Sequence, residues 1–357
     1  MQYLKSHGYT TKGGGKIFHG NNRPGDSLSW DNYFISKGHT SKSGRDTDLP
    51  SVSTGAGFFN WGPIDVPDDQ MQDVRTVNWA KSELGKTHNK PFFLACGFYR
   101  PHLPWYVPKK YFDKFPLDEI ILPEVKSDDL DDLPEYGKRF ARERYSGSWG
   151  TDLNEGERDH DLVVKYDQWK KGVQAYLASI SFVDTYVGEL LDGLDKSKYA
   201  HNTIIVLWGD HGWHLGEKQH WRKQALWEDT THVPFIVSYP KKIAKNSICE
   251  SPVSFIDIYP TLVDLAGIPK KEGLDGKSLK ELLVNPSMEW NRPVLSTYGK
   301  GNHAVRSGKW RYIEYRDGSS ELYDHQNDPN EWYNLSGKES FEKVVQNLKK
   351  IIPSTEK

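Results

Sequence analysis

Cysteine is scarce: the 357-residue chain has two, Cys96 and Cys249. Two thiols in unrelated contexts make no disulfide framework, and no C-x-x-C pair is present to hold zinc. Long apolar runs are also absent. Mean hydropathy is −0.73, and no stretch approaches the roughly 20 residues of a membrane-spanning helix. Neither sign of charge is in excess. Lys+Arg number 47 against 49 Asp+Glu, a formal net charge of −2, which gives no electrostatic reason to expect nucleic acid or an anionic membrane as partner. The first residues lack the charged region followed by an apolar run that marks a secretory leader. Internal repeats and low-complexity segments are missing too, which removes solenoids and biased tails from consideration.

What is present suits one large domain and one small one. Met1–Tyr9 reads as the end of a helix capped by Gly8. Residues 20–66 are rich in Gly, Ser, Asn and Asp and read as long loops. Asp68 or Asp69, after Pro67, is placed to cap a helix running to about Gly85. The run Pro91–Phe98 is apolar and strand-like, with Cys96 a buried thiol inside it. Residues 104–132 read as Pro- and acid-rich loop and 133–162 as irregular. Tyr166, Trp169, Val173, Tyr176, Ile180, Val183, Val187, Leu190 and Leu194 recur at three- and four-residue steps, the signature of one long amphipathic helix. It leads into Thr203–Trp208, a β-branched and aromatic run expected to be a strand buried on both faces. Val233–Tyr239 is a further strand, and Ser254–Leu265 a helix closed near Gly267. The rhythm is that of an α/β fold, a mixed, largely parallel sheet flanked by helices. After about Met288 the pattern changes to short strands separated by Ser-Gly-Lys and Asp-Gly-Ser turns, then an amphipathic helix from about Glu339 to Ile352. The expected division is residues 1–287 and a small C-terminal α+β subdomain at 288–357. Of the 13 Trp residues, some belong in the core, and a surplus would suit stacking on sugar faces.

The chemistry-bearing residues gather at strand ends. Asp210 and His211 follow the Thr203 strand, flanked by Gly209 and Gly212, and the carboxyl edge of such a sheet is where ligands bind. A carboxylate beside an imidazole is a reasonable start to a metal site, though a polar turn with a solvated His reads equally well. His214, His220 and Lys223 add nitrogen donors and cations. Lys16 and His19 follow the glycine run Gly13–Gly15, which by itself reads as a turn before a short strand. It is not a P-loop, because the spacing and the Ser/Thr are lacking. His102 sits between Pro101 and Pro104, with little backbone freedom.

Taken together, four pieces resemble one family. Gly15-Lys16-Ile-Phe-His19, Arg100-Pro-His102, Gly209-Asp210-His211-Gly-Trp-His-Leu-Gly-Glu217 with Lys223 and Thr231-His-Val-Pro234, and Glu321-Leu-Tyr-Asp-His-Gln-Asn-Asp-Pro-Asn-Glu331 are similar, in order and approximate spacing, to type I sulfatases. The branch resembled is the iduronate-2-sulfatase-like one. The resemblance implies the alkaline-phosphatase-like α/β fold, one bound Ca²⁺, and a formylglycine made from Cys or Ser in a C/S-x-P-x-R motif. It implies that Asp210 and His211 are metal ligands and that Lys16 and Lys223 hold sulfate oxygens. It also implies that His102 binds the ester and protonates the leaving alcohol, while His19 helps break down the sulfated intermediate. A sulfated carbohydrate would be the substrate, and a periplasmic or secreted location is expected for the full-length family.

This chain departs from that pattern in two respects. No C/S-x-P-x-R occurs, and Asp68-Asp69 stands in the wrong place for the family's first-strand Asp pair. The resemblance therefore implies a chain lacking the N-terminal segment with the nucleophile, and inactive alone. Two alternatives stay open. One is a two-zinc phosphodiesterase of the wider alkaline-phosphatase superfamily, kept open by the D-x-x-x-H spacing of Asp210 and His214. The other is a scaffold that binds sulfated glycan without turnover.

Overall fold

The computed structural model describes residues 1–19, 26–37, 59–142, 158–240 and 242–353. The chain forms two compact units, Met1–Leu122 with Val163–Thr203, and Pro123–Leu162 with Ile204–Lys357. The fold class is α/β, with parallel strands and flanking helices in the first unit and antiparallel strands in the second.

The described strands of the first unit are β1 (Thr10–Gly15), β2 (Asn32–Phe34), β3 (Trp61–Ile64), β4 (Phe92–Gly97) and β5 (Trp105–Pro108). β1 lies between β2 and β4, parallel to both, so all three deliver their carboxyl ends to one edge. The glycine run belongs to β1 itself, which corrects its reading as a turn. A Cβ on Gly14 would come within 2.6 Å of the Trp79 ring, and Gly15, at φ +78°, would place one 2.0 Å from the Gly97 carbonyl. Glycine is there because indole rings and the β4 backbone occupy the space a side chain would need.

The helix Gln72–Leu84 buries Val74, Val77, Ala80 and Leu84 on one face, and it packs on β1, β4 and the long helix Trp169–Asp195. That long helix is where its periodicity places it. The expected Asp cap is not made. A short 3-10 turn, Asp68–Gln70, intervenes, and Met71 takes the cap position without a side-chain bond. Asp68 accepts instead from the hydroxyls of Tyr111 (2.7 Å) and Tyr186 (2.5 Å) and pairs with Lys110.

Two stretches read as loop contain strands. Asn32–Phe34 joins β1, and Trp61–Ile64 pairs in parallel with Trp105–Pro108. The second pair is held by its indoles, with Trp61 and Trp105 stacked at 5.5 Å and Tyr176 against Trp105 at 5.2 Å. Within a two-stranded ribbon, a proline can turn its missing donor outward, so Pro63 and Pro108 are tolerated. Within the 20–66 loop reading, 20–25 and 38–58 lie outside the described residues.

The second unit contains β6 (Ile205–Trp208), β7 (His214–Leu215), β8 (Trp221–Arg222), β9 (Phe235–Ser238), β10 (Val294–Thr297), β11 (His303–Ser307), β12 (Trp310–Glu314) and β13 (Ser320–Asp324). β6 pairs antiparallel with β9. It is not buried on both faces: Ile205–Leu207 are half-buried and Trp208 is 46% exposed. An apolar, β-branched run dictates extended backbone, but it does not dictate how many neighbours the strand receives. The stretch 133–162, read as irregular, contains the helices Glu135–Ala141 and Asp159–Lys165, with 143–157 outside the described residues.

β10–β13 form the expected antiparallel meander. Its alternation is apolar on both faces. Ala304, Ile313 and Tyr323 pack with Leu133, Phe140 and Trp227. Val305, Tyr312 and Leu322 pack on the other side with Leu348 and Ile352 of the terminal segment. That segment is helical at Glu342–Lys349 and presents its apolar stripe to the sheet.

Candidate active site

In the first unit, the carboxyl ends of β1 and β4 carry the relevant side chains. Lys16 follows β1 directly, and its N–H donates to the Gly97 carbonyl at 3.0 Å. Gly97 has no room for a side chain, since a Cβ would lie 2.3 Å from the Lys16 carbonyl. The chain then leaves β4 as Tyr99–Trp105. Two groups lie against the Tyr99 ring, the Lys16 ammonium 5.8 Å from its centroid and the His102 ring at 5.2 Å. The structure thus brings Lys16 and His102 to one place.

That loop is fixed by buried groups, one of which, Asp73, the sequence did not single out. Asp73, 3% exposed, accepts the N–H groups of Tyr99 (2.7 Å) and Arg100 (3.0 Å). Burial pushes the Asp73 carboxyl up from its ordinary range, opposed by the Arg100 guanidinium and the two N–H bonds. Arg100 is buried too and donates to the Tyr106 carbonyl through Nε (3.1 Å) and Nη2 (2.8 Å). Trp105 Nε1 donates to the Pro101 carbonyl at 2.7 Å. Peptide bonds 100–101 and 103–104 are cis.

His102 Nδ1 lies 2.6 Å from the Leu103 carbonyl. A carbonyl only accepts, so Nδ1 carries a proton. His19 stands on the exposed segment after β1, and the described contacts do not draw it into the Lys16–His102 cluster.

In the second unit, Asp210 and His211 follow β6, as the strand's end implies. His211 Nδ1 lies 2.9 Å from the Gly212 carbonyl, so Nε2 presents its lone pair. That lone pair faces Lys223 Nζ at 2.8 Å and lies 3.8 Å from Asp210 Oδ2. Asp210 is exposed. Asp210, His211 and Lys223 are therefore brought together. The segment is clamped from behind: the N–H groups of Gly212 and Trp213 donate to the Thr230 and Asp229 carbonyls, both at 2.8 Å. A Cβ on Gly212 would lie 1.9 Å from the Asp229 carbonyl, so only glycine permits that approach. His214 does not pair with Asp210. Its Nδ1 lies against Asp229 and Glu217, which removes the support that D-x-x-x-H spacing gave to a zinc phosphodiesterase.

Asp210 and His211 fit a divalent ion as donors, an exposed carboxylate beside an imidazole whose tautomer is fixed. An ion there would displace the Lys223 ammonium from Nε2. The nucleophile of the family is not matched by either thiol. Burial pushes the Cys96 thiol up to about 12, which leaves it un-ionised at neutral pH, and Cys249 is exposed in a Cys-Glu-Ser-Pro context.

A family model for sulfatases matches residues 1–268. This chain belongs to the sulfatase family. A second model, for the C-terminal part of N-sulphoglucosamine sulphohydrolase, matches residues 216–357. Among curated relatives, a sulfatase of Formosa agariphila is 38% identical over 99% of this chain and 69% of its own length. Human iduronate 2-sulfatase is 31% identical over 75% of this chain and 54% of its own. Among solved structures, a protein in complex with its substrate D-glucosamine-2-N,6-O-disulfate superposes with a TM-score of 0.70. It is 21% identical, and the match covers 98% of this chain and 80% of that one. The fold is thereby that of the alkaline-phosphatase-like sulfatases. The chain spans between about half and two-thirds of the length of the curated relatives named here.

Proposed function

We propose that this sulfatase-family chain serves in hydrolysis of a sulfate ester on a carbohydrate and is of the iduronate-2-sulfatase-like type. The observation that carries the reading is the joint placement of Lys16 and His102 about Tyr99, at the carboxyl ends of adjacent parallel strands. Sulfuryl transfer gathers charge on the sulfuryl and leaving oxygens, and fixed cations stabilise it. An ammonium about 4 Å from such an oxygen contributes roughly 4 kcal/mol at an effective dielectric near 20. Lys16 supplies one such charge and Lys223 another. His102, protonated at Nδ1 against Leu103, holds a second proton at Nε2 and gives it to the departing alkoxide. His19 assists breakdown of the sulfated enzyme. Asp210 and His211 hold one divalent ion, Ca²⁺ by kinship, which supplies positive charge to a sulfate oxygen when bound.

The nucleophile is assigned to no residue of 1–357. The reading is thus of a chain that binds sulfated sugar but does not turn it over unaided. Support for a glycan substrate comes from the relative that is an iduronate 2-sulfatase and from the solved neighbour bound to a disulfated glucosamine.

The test compares residues 1–357 with the product of the same reading frame extended upstream, each coexpressed with a formylglycine-generating enzyme. Sulfate release from 4-nitrophenyl sulfate and from a sulfated glycosaminoglycan oligosaccharide is measured. Release by the longer product alone supports the assignment. Metal-dependent release by residues 1–357 would mean that a nucleophile lies within them. Glycan binding without release by either product would favour the scaffold reading.

A further inference from the structure

A second cluster of ligand-type side chains lies in the second unit, apart from Asp210 and His211. His214 ends up 1% exposed, on the two-residue strand β7. Neither of its ring nitrogens has a hydrogen-bond partner among the described residues. A buried imidazole with both nitrogens unsatisfied is costly, and such a group calls for a ligand. Its Nδ1 points at two carboxylates, Asp229 Oδ2 at 3.6 Å and Glu217 Oε2 at 3.9 Å. One donor atom from each of the three residues lies within 4.8 Å of the others.

These residues line a small cavity of about 40 Å³, which has room for a single ion or water. The charge of that lining is not balanced. Its one lysine, Lys218, is taken by Asp129 Oδ1 at 2.9 Å and the Glu331 carbonyl at 2.5 Å. Glu228 and Glu331 are paired with Arg311. Glu217 and Asp229 have no Lys or Arg partner among the described ion pairs. Burial and the neighbouring Asp229 carboxylate push the Glu217 carboxyl up to about 7, and partial burial with Glu331 and Glu228 nearby raises the half-exposed Asp229 carboxyl. Burial holds the His214 imidazole well below its ordinary value and so neutral, with a lone pair to donate. Two carboxyl groups and a neutral imidazole with nothing between them make a cation site in every respect but the cation.

We propose that His214, Glu217 and Asp229 bind one divalent first-row transition ion, Zn²⁺ by preference, with water completing its shell. One imidazole nitrogen and two carboxylate oxygens are a common zinc donor set, and an oxygen-loving Ca²⁺ is served less well by it. Donors about 2.0–2.2 Å from zinc sit roughly 3.3 Å from one another. The observed spacing must therefore contract, and Asp229, with 53% of its side chain exposed, is free to move inward. Glu217 is already oriented, since its Oε2 accepts the Leu215 N–H at 2.6 Å. The ion ties the turn 214–217 to the short helix Glu228–Thr231. The carbonyls of that helix hold Gly212 and Trp213, so the ion braces the segment carrying Asp210 and His211 without joining the chemistry.

The test uses residues 1–357, stripped with chelator and dialysed against micromolar Zn²⁺ or, separately, millimolar Ca²⁺, with metal content read by mass spectrometry. One zinc per chain is expected, retained in the double variant Asp210→Ala/His211→Ala and lost in His214→Ala and Asp229→Asn. Thermal unfolding should rise with Zn²⁺ in the wild type and not in Asp229→Asn. Should His214→Ala fail to fold, Asp229→Asn, altered at a half-exposed side chain, decides alone. Zinc content unchanged in Asp229→Asn, zinc lost in the Asp210/His211 variant, or no zinc bound by the wild type would each overturn the proposal, the last leaving an ordered water as the occupant.

Discussion

Replacing Glu228 with Gln probes the clamp behind Asp210 and His211. Arg311, 2% exposed, donates to the Glu228 carboxylate, to the Leu226 carbonyl at 2.9 Å and to Thr231 Oγ1 at 2.8 Å. Arg306 Nε adds a bond to Glu228 at 3.2 Å. Burial opposes ionisation of Glu228, but Arg311 and Arg306 overcome it and hold the carboxyl down at about 2, against 4.5 ordinarily. Because the folded value is the lower one, the stabilisation is complete above about 4.5 and disappears as pH falls through about 2. At about 1.4 kcal/mol per pKa unit, the shift amounts to roughly 3 kcal/mol at neutral pH. Glu228→Gln keeps the shape and removes the charge. Urea unfolding should therefore separate the two proteins by roughly 3 kcal/mol at pH 7 and by less than half of that at pH 3. The subtraction cancels the titration of every other carboxylate. A gap below about 1 kcal/mol at pH 7, or one equally wide at both pH values, would show that Arg311 and Glu228 are not coupled as their geometry demands.

Asp73→Ala strands the N–H groups of Tyr99 and Arg100 and leaves the Arg100 guanidinium buried without its carboxylate, so it should cost about 3–5 kcal/mol in thermal or urea unfolding. Asp73→Asn, which keeps one acceptor, should cost less, and equal losses would argue against the N–H bonds. Gly15→Ala meets both a left-handed backbone and the Gly97 carbonyl; the variant should be insoluble or destabilised by at least about 2 kcal/mol, and a soluble protein of wild-type stability would refute the packing argument. In a chain that supplies the nucleophile, His102→Ala should slow sugar-sulfate hydrolysis by roughly 10²–10⁴-fold and an activated aryl sulfate less. Equal losses on both substrates would remove the proton-donor role.

How much of this was legible in the sequence depended on the distance over which the signal acts. The helix Trp169–Asp195 and the meander β10–β13 repeat their apolar pattern many times, and both stand where periodicity places them. Trp61–Ile64 and Trp105–Pro108 each hold a proline and only four residues. Their strand character comes from the Trp61–Trp105 stack, a contact between residues distant in sequence. Gly13–Gly15 misled for the same reason, because the need for glycine arises from Trp30, Trp79 and Gly97. Asp210, His211 and Lys223 were visible because strand end and ligand type coincide in one stretch. Asp73 was not, since an Asp in the first turn of a helix looks alike whether it faces water or a buried loop. Asp229 was hidden in the same way, fifteen residues beyond the imidazole it meets.

The meander has a consequence for how the chain tolerates change. A sheet with one wet face accepts substitutions at every second position. β11, β12 and β13 have no such spare face: Ala304 and Val305, Tyr312 and Ile313, Leu322 and Tyr323 are all 1% exposed or less. In a saturation-mutagenesis screen, neighbours along these strands should be equally intolerant, giving a flat profile. β9, where Ile236 and Ser238 stand exposed and Phe235 and Val237 are half-buried, should instead alternate.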